Sequence, residues 1–234
     1  MSGFGMTSAR RLRPRLVTVL WILATIVSAA ADAPVASWVY HSEFFVLVRH
    51  SLIARIIKTP GSYYFTLALA AALMLLNRRL YRLSAALSVS GIVAGAFYTI
   101  GKWAVGRGRP IFNGRTFNSH PFQLKLFEGG LMGIVHSEPD MSFPSGHACV
   151  AFATAAALGD WFPAFRSLFL TIASLVAVER VLEGAHYVSD TVAGAALGML
   201  AWKLTAVWML RGASGAYNSS SEKSEGFSKG EGGR

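Results

Sequence analysis

The chain has 234 residues, of which 53% are hydrophobic and 15% are charged, and its mean hydropathy is +0.43. This composition excludes an ordinary soluble domain and indicates an integral membrane protein. The net charge of +10 suits anionic lipid or a phosphorylated substrate. Nucleic acid is not expected, because the basic residues border apolar stretches and form no single basic face. The single cysteine, Cys149, excludes an internal disulfide, and its apolar neighbours predict a buried side chain.

Apolar stretches in the sequence predict helices that cross a bilayer. They cover residues 16–31, 63–76, 83–105, 147–161, 165–182 and 188–210. We therefore predict an all-α fold, a polytopic membrane bundle of six transmembrane helices. A basic segment at residues 1–15 precedes this domain at 16–210. The polar residues 211–234 predict a flexible tail, because they cannot form a core.

Basic residues near the ends of the spans predict the orientation of the bundle, because Lys and Arg are retained on the cytoplasmic side. They precede the first span, fill the turn after the second, and follow the fourth and sixth: Arg10, Arg11, Arg13, Arg15, Arg78, Arg79, Arg82, Arg166 and Arg211. The N-terminal segment and the tail are then cytoplasmic. The first 31 residues are alternatively a cleaved secretory signal; a retained anchor is favoured, because the small residues 28–33 lack a clean polar boundary before them.

Two further patterns concern helix surfaces and packing. Residues 49–58 alternate basic and apolar side chains at helical spacing, which suits a helix in the membrane interface or, equally, one that covers the bundle. The pairs Gly91 with Gly95, and Gly194 with Gly198, have the four-residue spacing that lets helices approach closely.

The first polar cluster lies at the predicted outer end of the third span, in "KWAVGRGRP". Lys102 and Arg109 are seven residues apart, and Pro110 stops a helix. If the span ends near Val105, Lys102 and Arg109 both lie at its outer end and form an anion site. The alternative is that both side chains snorkel from a helix end.

The second cluster is "FPSGHACVAF", where a polar loop gives way to an apolar stretch. Pro144 suits the turn before a helix, Ser145 can cap that helix, and Gly146 lets a ligand approach the backbone. Free N–H groups at a helix N-terminus bind phosphate. His147 would stand beside such a phosphate and exchange a proton near neutral pH.

The third cluster, "ERVLEGAHYVSD", supplies Arg180, His186 and Asp190. An arginine at the outer end of the fifth span can grip phosphate oxygens bidentately. His186 and Asp190 are four residues apart, so on a helix they share one face and can form a hydrogen bond that fixes the imidazole for attack. The alternative is a structural salt bridge. Ionisable residues clustered at a membrane interface indicate a functional site.

Together these residues form the pattern Lys-x6-Arg-Pro, Pro-Ser-Gly-His and Arg-x5-His-x3-Asp, in that order. The sequence resembles the type 2 phosphatidic acid phosphatases, the membrane branch of a superfamily that includes bacterial acid phosphatases and vanadium haloperoxidases. The resemblance covers roughly residues 83–210. One position departs from the family, because Glu179 stands where a serine usually precedes Arg180. Glu179 facing the pocket would weaken anion binding or hold Arg180 in position, whereas Glu179 facing a neighbouring helix would be a polar tether.

The resemblance implies a metal-free, two-step phosphoryl transfer through a phosphohistidine. His186 would attack phosphorus, Asp190 would orient it, and His147 would protonate the leaving oxygen. The phosphate would be held by three cations and by backbone N–H groups, namely those of Lys102, Arg109, Arg180, Ser145 and Gly146. The sequence contains no evident metal-ligand set, and we expect neither a metal nor another cofactor.

The implied substrate is a phosphorylated membrane phospholipid or glycolipid, such as lipid A, undecaprenyl diphosphate, phosphatidylglycerol phosphate or phosphatidic acid. We expect a bacterial inner-membrane protein whose active site faces the periplasm. The loop at 111–143 would cover the pocket, and Arg115 and Lys125 would contact a second phosphate or, equally, lipid head groups. The alternatives are a lipid phosphotransferase on the same scaffold and a non-enzymatic lipid-binding or transport protein.

Overall fold

The computed structural model describes residues 14–112, 116–118, 120, 124–127 and 141–230. Its α-helices are α1 (Pro14–Ala29), α2 (Asp32–His41), α3 (Glu43–His50), α4 (Leu52–Lys58), α5 (Tyr63–Leu76), α6 (Tyr81–Val105), α7 (Gly146–Trp161), α8 (Arg166–Leu182) and α9 (Val188–Gly230). Short 3-10 turns lie at Thr59–Gly61, Arg78–Leu80 and Pro163–Phe165. The strands β1 (Ile111–Phe112) and β2 (Thr116–Phe117) form one small antiparallel pair. Apart from this pair, the predicted all-α fold is confirmed for the described residues.

Each predicted span coincides with a helix, but the helices differ in length. Arg78–Val105 and Val188–Met209 are long and apolar enough to cross a membrane alone. Two bent pairs are further candidates: Arg15–Ala29 with Asp32–His41, at 49°, and Leu52–Gly61 with Tyr63–Leu76, at 69°. At 1.5 Å per residue, α7 and α8 are only about 25 Å long, against roughly 30 Å for a bilayer core. The described residues therefore give two to four candidate spans, typical of a membrane protein, and the number six stays a prediction.

Helix α7 lies at the centre of the bundle, packed against α6, α8 and α9. Small residues make this possible, because a Cβ added to Gly198 would lie 2.1 Å from the carbonyl oxygen of Cys149, and one added to Gly194 would lie 2.5 Å from that of Ser145. The close approach predicted for this glycine pair is confirmed. Cys149 is buried, as predicted.

The other glycine pair, both on α6, behaves differently. A Cβ on Gly91 would meet the ring of Tyr63 at 3.0 Å, so this glycine does sit in a close contact with α5. A Cβ on Gly95 would meet no described atom within 4 Å. The close helix approach predicted at Gly95 is therefore wrong, because no described neighbour lies within 4 Å of its Cβ position.

The segment at 49–58 comprises the last two residues of α3 and the whole of α4. Ala54 is buried, whereas Leu52, Ile53 and Ile56 are exposed at 70%, 69% and 62%. Because these apolar side chains point away from the protein, α4 does not use them to cover the bundle. Exposed aliphatic side chains next to basic ones favour the interfacial alternative.

Helix α9 continues through most of the polar C-terminal segment, up to Gly230. The backbone is thus helical up to residue 230, and the flexibility of residues 211–234 stays a prediction. No proline interrupts the sequence between 188 and 230, and extending an existing helix adds one hydrogen bond for each residue fixed.

The ends of four helices meet at one end of the bundle. The backbone N–H of Ser142, before α7, donates to the carbonyl oxygen of Arg107, after α6, at 2.7 Å. The N–H of Ile111 donates to the carbonyl of Gly184, after α8, at 3.1 Å. These bonds gather the three sequence clusters at that end.

Candidate functional site

The first cluster begins in the last turn of α6, which ends at Val105 as predicted. Gly106 ends the helix in a left-handed conformation with φ of 58°, and a Cβ there would lie 2.2 Å from the carbonyl oxygen of Lys125. Only glycine fits both conditions. The turn separates Lys102, whose ammonium lies 5.9 Å from the ring centre of Tyr98, from Arg109 beyond the helix.

The second cluster starts α7. The hydroxyl of Ser145 accepts the N–H of Ala148 at 3.4 Å, which confirms the predicted N-cap. However, the N–H of Ser145 donates to the carbonyl oxygen of Asp190 at 3.0 Å. This N–H is therefore already used in the hydrogen bond that joins α7 to α9. Its predicted donation to a phosphate has no support. Gly146 lies close to the Tyr98 ring, where a Cβ would be at 3.2 Å. Its role in phosphate binding stays a prediction.

The third cluster spans the turn between α8 and α9. The N–H groups of Ala185 and His186 both donate to the carbonyl oxygen of Arg180 at 3.2 Å, and Gly184 adopts a left-handed φ of 70°. His186 therefore precedes α9 and does not lie on it. Its Nδ1 is 2.7 Å from the carbonyl oxygen of Ser142 but 3.8 Å from Oδ2 of Asp190. The hydrogen bond predicted between His186 and Asp190 is absent; a backbone carbonyl takes that place.

The contact with Ser142 determines the reactive state of His186. A carbonyl oxygen only accepts, so Nδ1 carries the proton and Nε2 keeps its lone pair. The pKa of His186 is lowered to about 4, mainly because the ring is buried. The Asp190 carboxylate raises this pKa, whereas the charges of Arg180 and Arg109 lower it further. The imidazole is therefore neutral near pH 7, with Nε2 able to act as a nucleophile.

Arg180 is surrounded by carboxylates. Its guanidinium forms a short ion pair with Glu183 and lies 3.5 Å from Glu179, whose side chain is 4% exposed. Lys58, from α4, donates to Glu183 at 3.1 Å. Glu179, the departure from the family pattern, thus faces Arg180, which favours the alternative in which it holds that arginine in position.

Glu183 and Lys58 were not singled out from the sequence. Burial raises the pKa of Glu183, but the charges of Arg180 and Lys58 outweigh it, so the pKa is lowered overall. A charged Glu183 therefore links α4 to α8 beside the site.

The two histidines of the predicted site interact electrostatically with its predicted cations. His147, the second residue of α7, feels the charges of Arg180, His186, Lys58 and Lys102. His186 feels those of Arg180 and Arg109. These interactions link the two imidazoles to Lys102, Arg109 and Arg180. That the five side chains surround one phosphate stays a prediction. Arg115 lies outside the described residues, and Lys125 contributes its backbone to the turn at Gly106.

A buried ionic network that the sequence analysis missed lies beneath the site. Arg107 donates from Nη1 to Oδ1 of Asp190 and from Nη2 to Oδ2 of Asp32, both at 2.7 Å. The N–H and hydroxyl of Ser189 donate to the Asp32 carboxylate at 2.9 and 2.5 Å. Asp32 and Asp190 are 0% exposed, and Arg107 is 4% exposed. The one sequence signal for this network was Asp32, a charged residue among the small residues at 28–33.

Among the described residues, no group of three or more His, Cys, Asp or Glu side chains is arranged to hold a metal ion. The candidate site combines three cations and two imidazoles, with the carboxylates of Glu179 and Glu183 beside Arg180. Such a set suits a phosphate-like anion.

A sequence profile of the PAP2 superfamily matches residues 81–213, which contain all three clusters. The chain belongs to the PAP2 superfamily. The resemblance seen in the motifs is thereby confirmed.

Two curated relatives are lipid A 1-phosphatases. That of Rhizobium johnstonii is 37% identical over 136 residues, which are 54% of this chain and 51% of that protein. That of Rhizobium etli is 33% identical over 123 residues, which are 50% of this chain and 46% of that protein. The match thus spans about half the length of each relative.

A solved structure shares the PAP2 fold of this chain. The crystal structure of a transmembrane PAP2 type phosphatidylglycerolphosphate phosphatase from Bacillus subtilis superposes with a TM-score of 0.55 and 24% identity. The superposition covers 85% of this chain and 96% of that chain. At this identity the likeness concerns the fold alone.

Proposed function

We propose that this protein is an integral membrane lipid phosphatase that hydrolyses a phosphomonoester or diphosphate of a membrane lipid through a phosphohistidine. The observation that carries the proposal is the group of cations around two imidazoles at one end of the bundle: Lys102, Arg109 and Arg180 around His147 and His186. Membership of the PAP2 superfamily and the similarity to lipid A 1-phosphatases support it.

In the first step, Nε2 of His186 attacks phosphorus while the bond from phosphorus to the lipid oxygen breaks. Its Nδ1–H stays bonded to the carbonyl of Ser142, which keeps the ring aligned and accepts more strongly as the ring becomes cationic. His147 gives its proton to the leaving oxygen. A bound phosphate favours the protonated form of His147, because it adds negative charge beside the ring.

In the second step, water attacks the phosphohistidine. His147, now neutral, takes a proton from this water as the bond between phosphorus and Nε2 breaks. Inorganic phosphate leaves and His186 returns to its neutral form. Both histidines end the cycle as they began it.

Three cations would do the electrostatic work that magnesium does in kinases, so the proposed reaction needs no metal. Lys102, Arg109 and Arg180 would contact the equatorial oxygens of the phosphoryl group, with the N–H of Gly146 as a further donor. Glu179 and Glu183 would keep Arg180 oriented. Phosphate release in the presence of excess chelator is expected to equal release without it.

Lipid A is the first substrate to examine, because both relatives reported above carry that activity in their names. Undecaprenyl diphosphate, phosphatidylglycerol phosphate and phosphatidic acid complete the proposed set. We further propose a six-span arrangement in a bacterial inner membrane with the site facing the periplasm. The charge of the basic segments supports this orientation.

The test is phosphate release by the purified full chain in detergent from a panel of those four lipids. We expect release from at least one lipid, and a loss of at least about a thousandfold in His186→Ala, because the nucleophile is removed. His41→Ala is the matched control, since His41 is an exposed histidine on α2, and it should keep the wild-type rate.

Three results would argue against the proposal. Release by His186→Ala near the wild-type rate would exclude His186 as the nucleophile. Transfer of labelled phosphate to a second lipid in place of water would indicate a phosphotransferase. No reaction with any lipid of the panel would favour a binding or transport protein.

A further inference from the structure

The network of Asp32, Arg107 and Asp190 carries more negative than positive charge. Two carboxylates share one guanidinium, so the formal charge of the three side chains is −1. All three are buried, where an excess charge is costly and strongly felt by its neighbours. A fold would not retain such a charge for packing alone, because apolar residues of similar volume are often as stable.

The nearest reacting group is the imidazole of His186. Its Nδ1 lies 3.8 Å from Oδ2 of Asp190. The other oxygen of Asp190 accepts from Arg107, whose guanidinium also stacks over the Tyr187 ring at 4.0 Å and donates to Asp32. Asp32 thus divides the positive charge of Arg107 between two carboxylates.

This division matters when His186 reacts. Attack by Nε2 on phosphorus makes the imidazole cationic, and a nearby negative charge stabilises that cation. With Asp32 present, Arg107 offsets only part of the charge of Asp190. Without Asp32, the charges of Arg107 and Asp190 cancel, and the cationic ring loses this stabilisation.

We propose that Asp32, at the start of α2, is a positioning residue of the phosphatase site, acting on His186 through the charge and orientation of Arg107 and Asp190. This inference rests on the function proposed above. Asp32 lies outside the residues 81–213 that match the PAP2 superfamily, so the N-terminal helices contribute to the chemistry of the site.

A purely structural role for Asp32 is the competing explanation. Its carboxylate accepts two hydrogen bonds from Ser189 and thereby fastens α2 to α9. Loss of such a fastening would lower the amount of folded protein and leave the kinetics of each folded molecule unchanged. The proposal instead predicts a change in kcat per folded molecule.

The decisive variant is Asp32→Asn, which keeps the shape of the side chain and removes its charge. The full chain is purified in detergent, and phosphate release is measured from the panel lipid that the wild type cleaves fastest. We expect kcat per folded molecule to fall roughly 10- to 100-fold with KM little changed. Losses of this size are typical for residues that orient a reacting group without contacting the substrate. Asp32→Glu should recover part of the loss, because it restores the carboxylate.

The pH profile gives a second readout. The charged and titratable groups that face His186 are Asp190, Arg180, Arg109 and His147. Removing negative charge from behind Asp190 makes His186 harder to protonate, so the acid limb of kcat/KM should move to lower pH in Asp32→Asn. A structural fastening alone would leave this limb in place.

Asp160→Asn is the matched control. Asp160 pairs with Arg166 at 2.9 Å and accepts from Trp202 at 2.7 Å near the opposite end of α7, so this variant should keep the wild-type kcat. If Asp32→Asn does not fold, Ser189→Ala removes one hydrogen bond to Asp32 and keeps every charge. It should lower kcat several-fold with an unchanged KM.

Wild-type kcat in folded Asp32→Asn, or in folded Ser189→Ala where Asp32→Asn cannot be purified, would overturn the inference. A fall in the kcat of folded Asp32→Asn with no shift of its acid limb would do the same, because the charge of Asp32 would then not act on His186. These failures are distinct from failure of the proposed function. In that case the wild type itself would release no phosphate, or His186→Ala would remain active.

Discussion

The hydrogen bond between His186 and the Ser142 carbonyl fixes which ring nitrogen can react. Because the carbonyl only accepts, the proton stays on Nδ1 and the lone pair stays on Nε2. A carboxylate in the place of this carbonyl would have stabilised the protonated imidazole and raised its pKa. The backbone partner instead leaves a buried, neutral imidazole, with Oδ2 of Asp190 3.8 Å from its Nδ1.

The lowered pKa of His186 predicts how folding stability depends on pH. The folded-state pKa is about 4, below the value of 6.5 for a free histidine. The stability due to the neutral ring is fully present above pH 6.5, where neither state is protonated. It is lost as the pH falls toward 4, because the unfolded chain binds a proton that the folded chain does not. The loss approaches about 3 kcal/mol, since each pKa unit corresponds to about 1.4 kcal/mol.

The measurement is thermal unfolding in detergent, followed by tryptophan fluorescence from about pH 8 to about pH 4. We expect the wild type to lose more stability in acid than His186→Gln, because the variant cannot bind the extra proton when unfolded. The exposed His41 provides the control His41→Gln, which should follow the wild type. Equal acid destabilisation of the wild type and His186→Gln would contradict the lowered pKa.

The sequence singled out the candidate site residues, whose roles stay a prediction, but not their partners. Lys102, Arg109, His147, Arg180 and His186 stand at fixed spacings next to helix ends, which a sequence displays directly. The partners come from distant parts of the chain: 75 residues separate Asp32 from Arg107 and 157 separate Asp32 from Ser189. His186 and Asp190 do pair, with Nδ1 and Oδ2 3.8 Å apart. The predicted hydrogen bond between them is missing because His186 lies in the turn before α9 and its Nδ1 contacts the Ser142 carbonyl.

At the scale of elements, the contact between α7 and α9 aligns the two halves of the site. Helix α7 begins beside His147, and α9 begins beside Asp190. Their backbones approach where Gly194 and Gly198 face Ser145 and Cys149. The N–H of Ser145 then reaches the carbonyl of Asp190 at 3.0 Å, which joins the two N-terminal ends.

Gly198 and Gly95, one glycine from each pair, predict opposite effects of an added methyl group. Gly198→Ala should destabilise the protein by about 1–3 kcal/mol and lower phosphate release, because its Cβ would fall 2.1 Å from the Cys149 carbonyl and force the helices apart. Gly95→Ala should be neutral or stabilising by up to about 1 kcal/mol, because a helical alanine is favoured over glycine and no described atom lies within 4 Å.

Denaturant unfolding and phosphate release of both variants would check this. Destabilisation of Gly95→Ala equal to that of Gly198→Ala would contradict the packing described here. From the sequence, the four-residue spacing predicted both pairs alike. Spacing defines one face of a helix but does not tell whether another helix lies against that face, so Gly95 could not be distinguished in advance.

At the scale of the whole molecule, the site exists only when the bundle is assembled. Its cations and imidazoles come from α6, α7, α8 and the connections after α6 and α8, and Asp32 reaches it from α2. The helices themselves were predictable from apolar stretches. The bounds of α7 and α8 were predictable to within one residue, but helices of 16 and 17 residues are short for spans, so the number of spans did not follow from the sequence.

The central claim is that His186 carries the phosphoryl group between lipid and water. The most direct measurement is rapid acid-free quenching of the full chain during turnover of a lipid labelled on its phosphate, followed by peptide mapping. We predict label bound to His186 through an alkali-stable, acid-labile bond, and none in His186→Gln. Phosphate release without labelled protein, or label on another residue that persists in His186→Gln, would contradict the account.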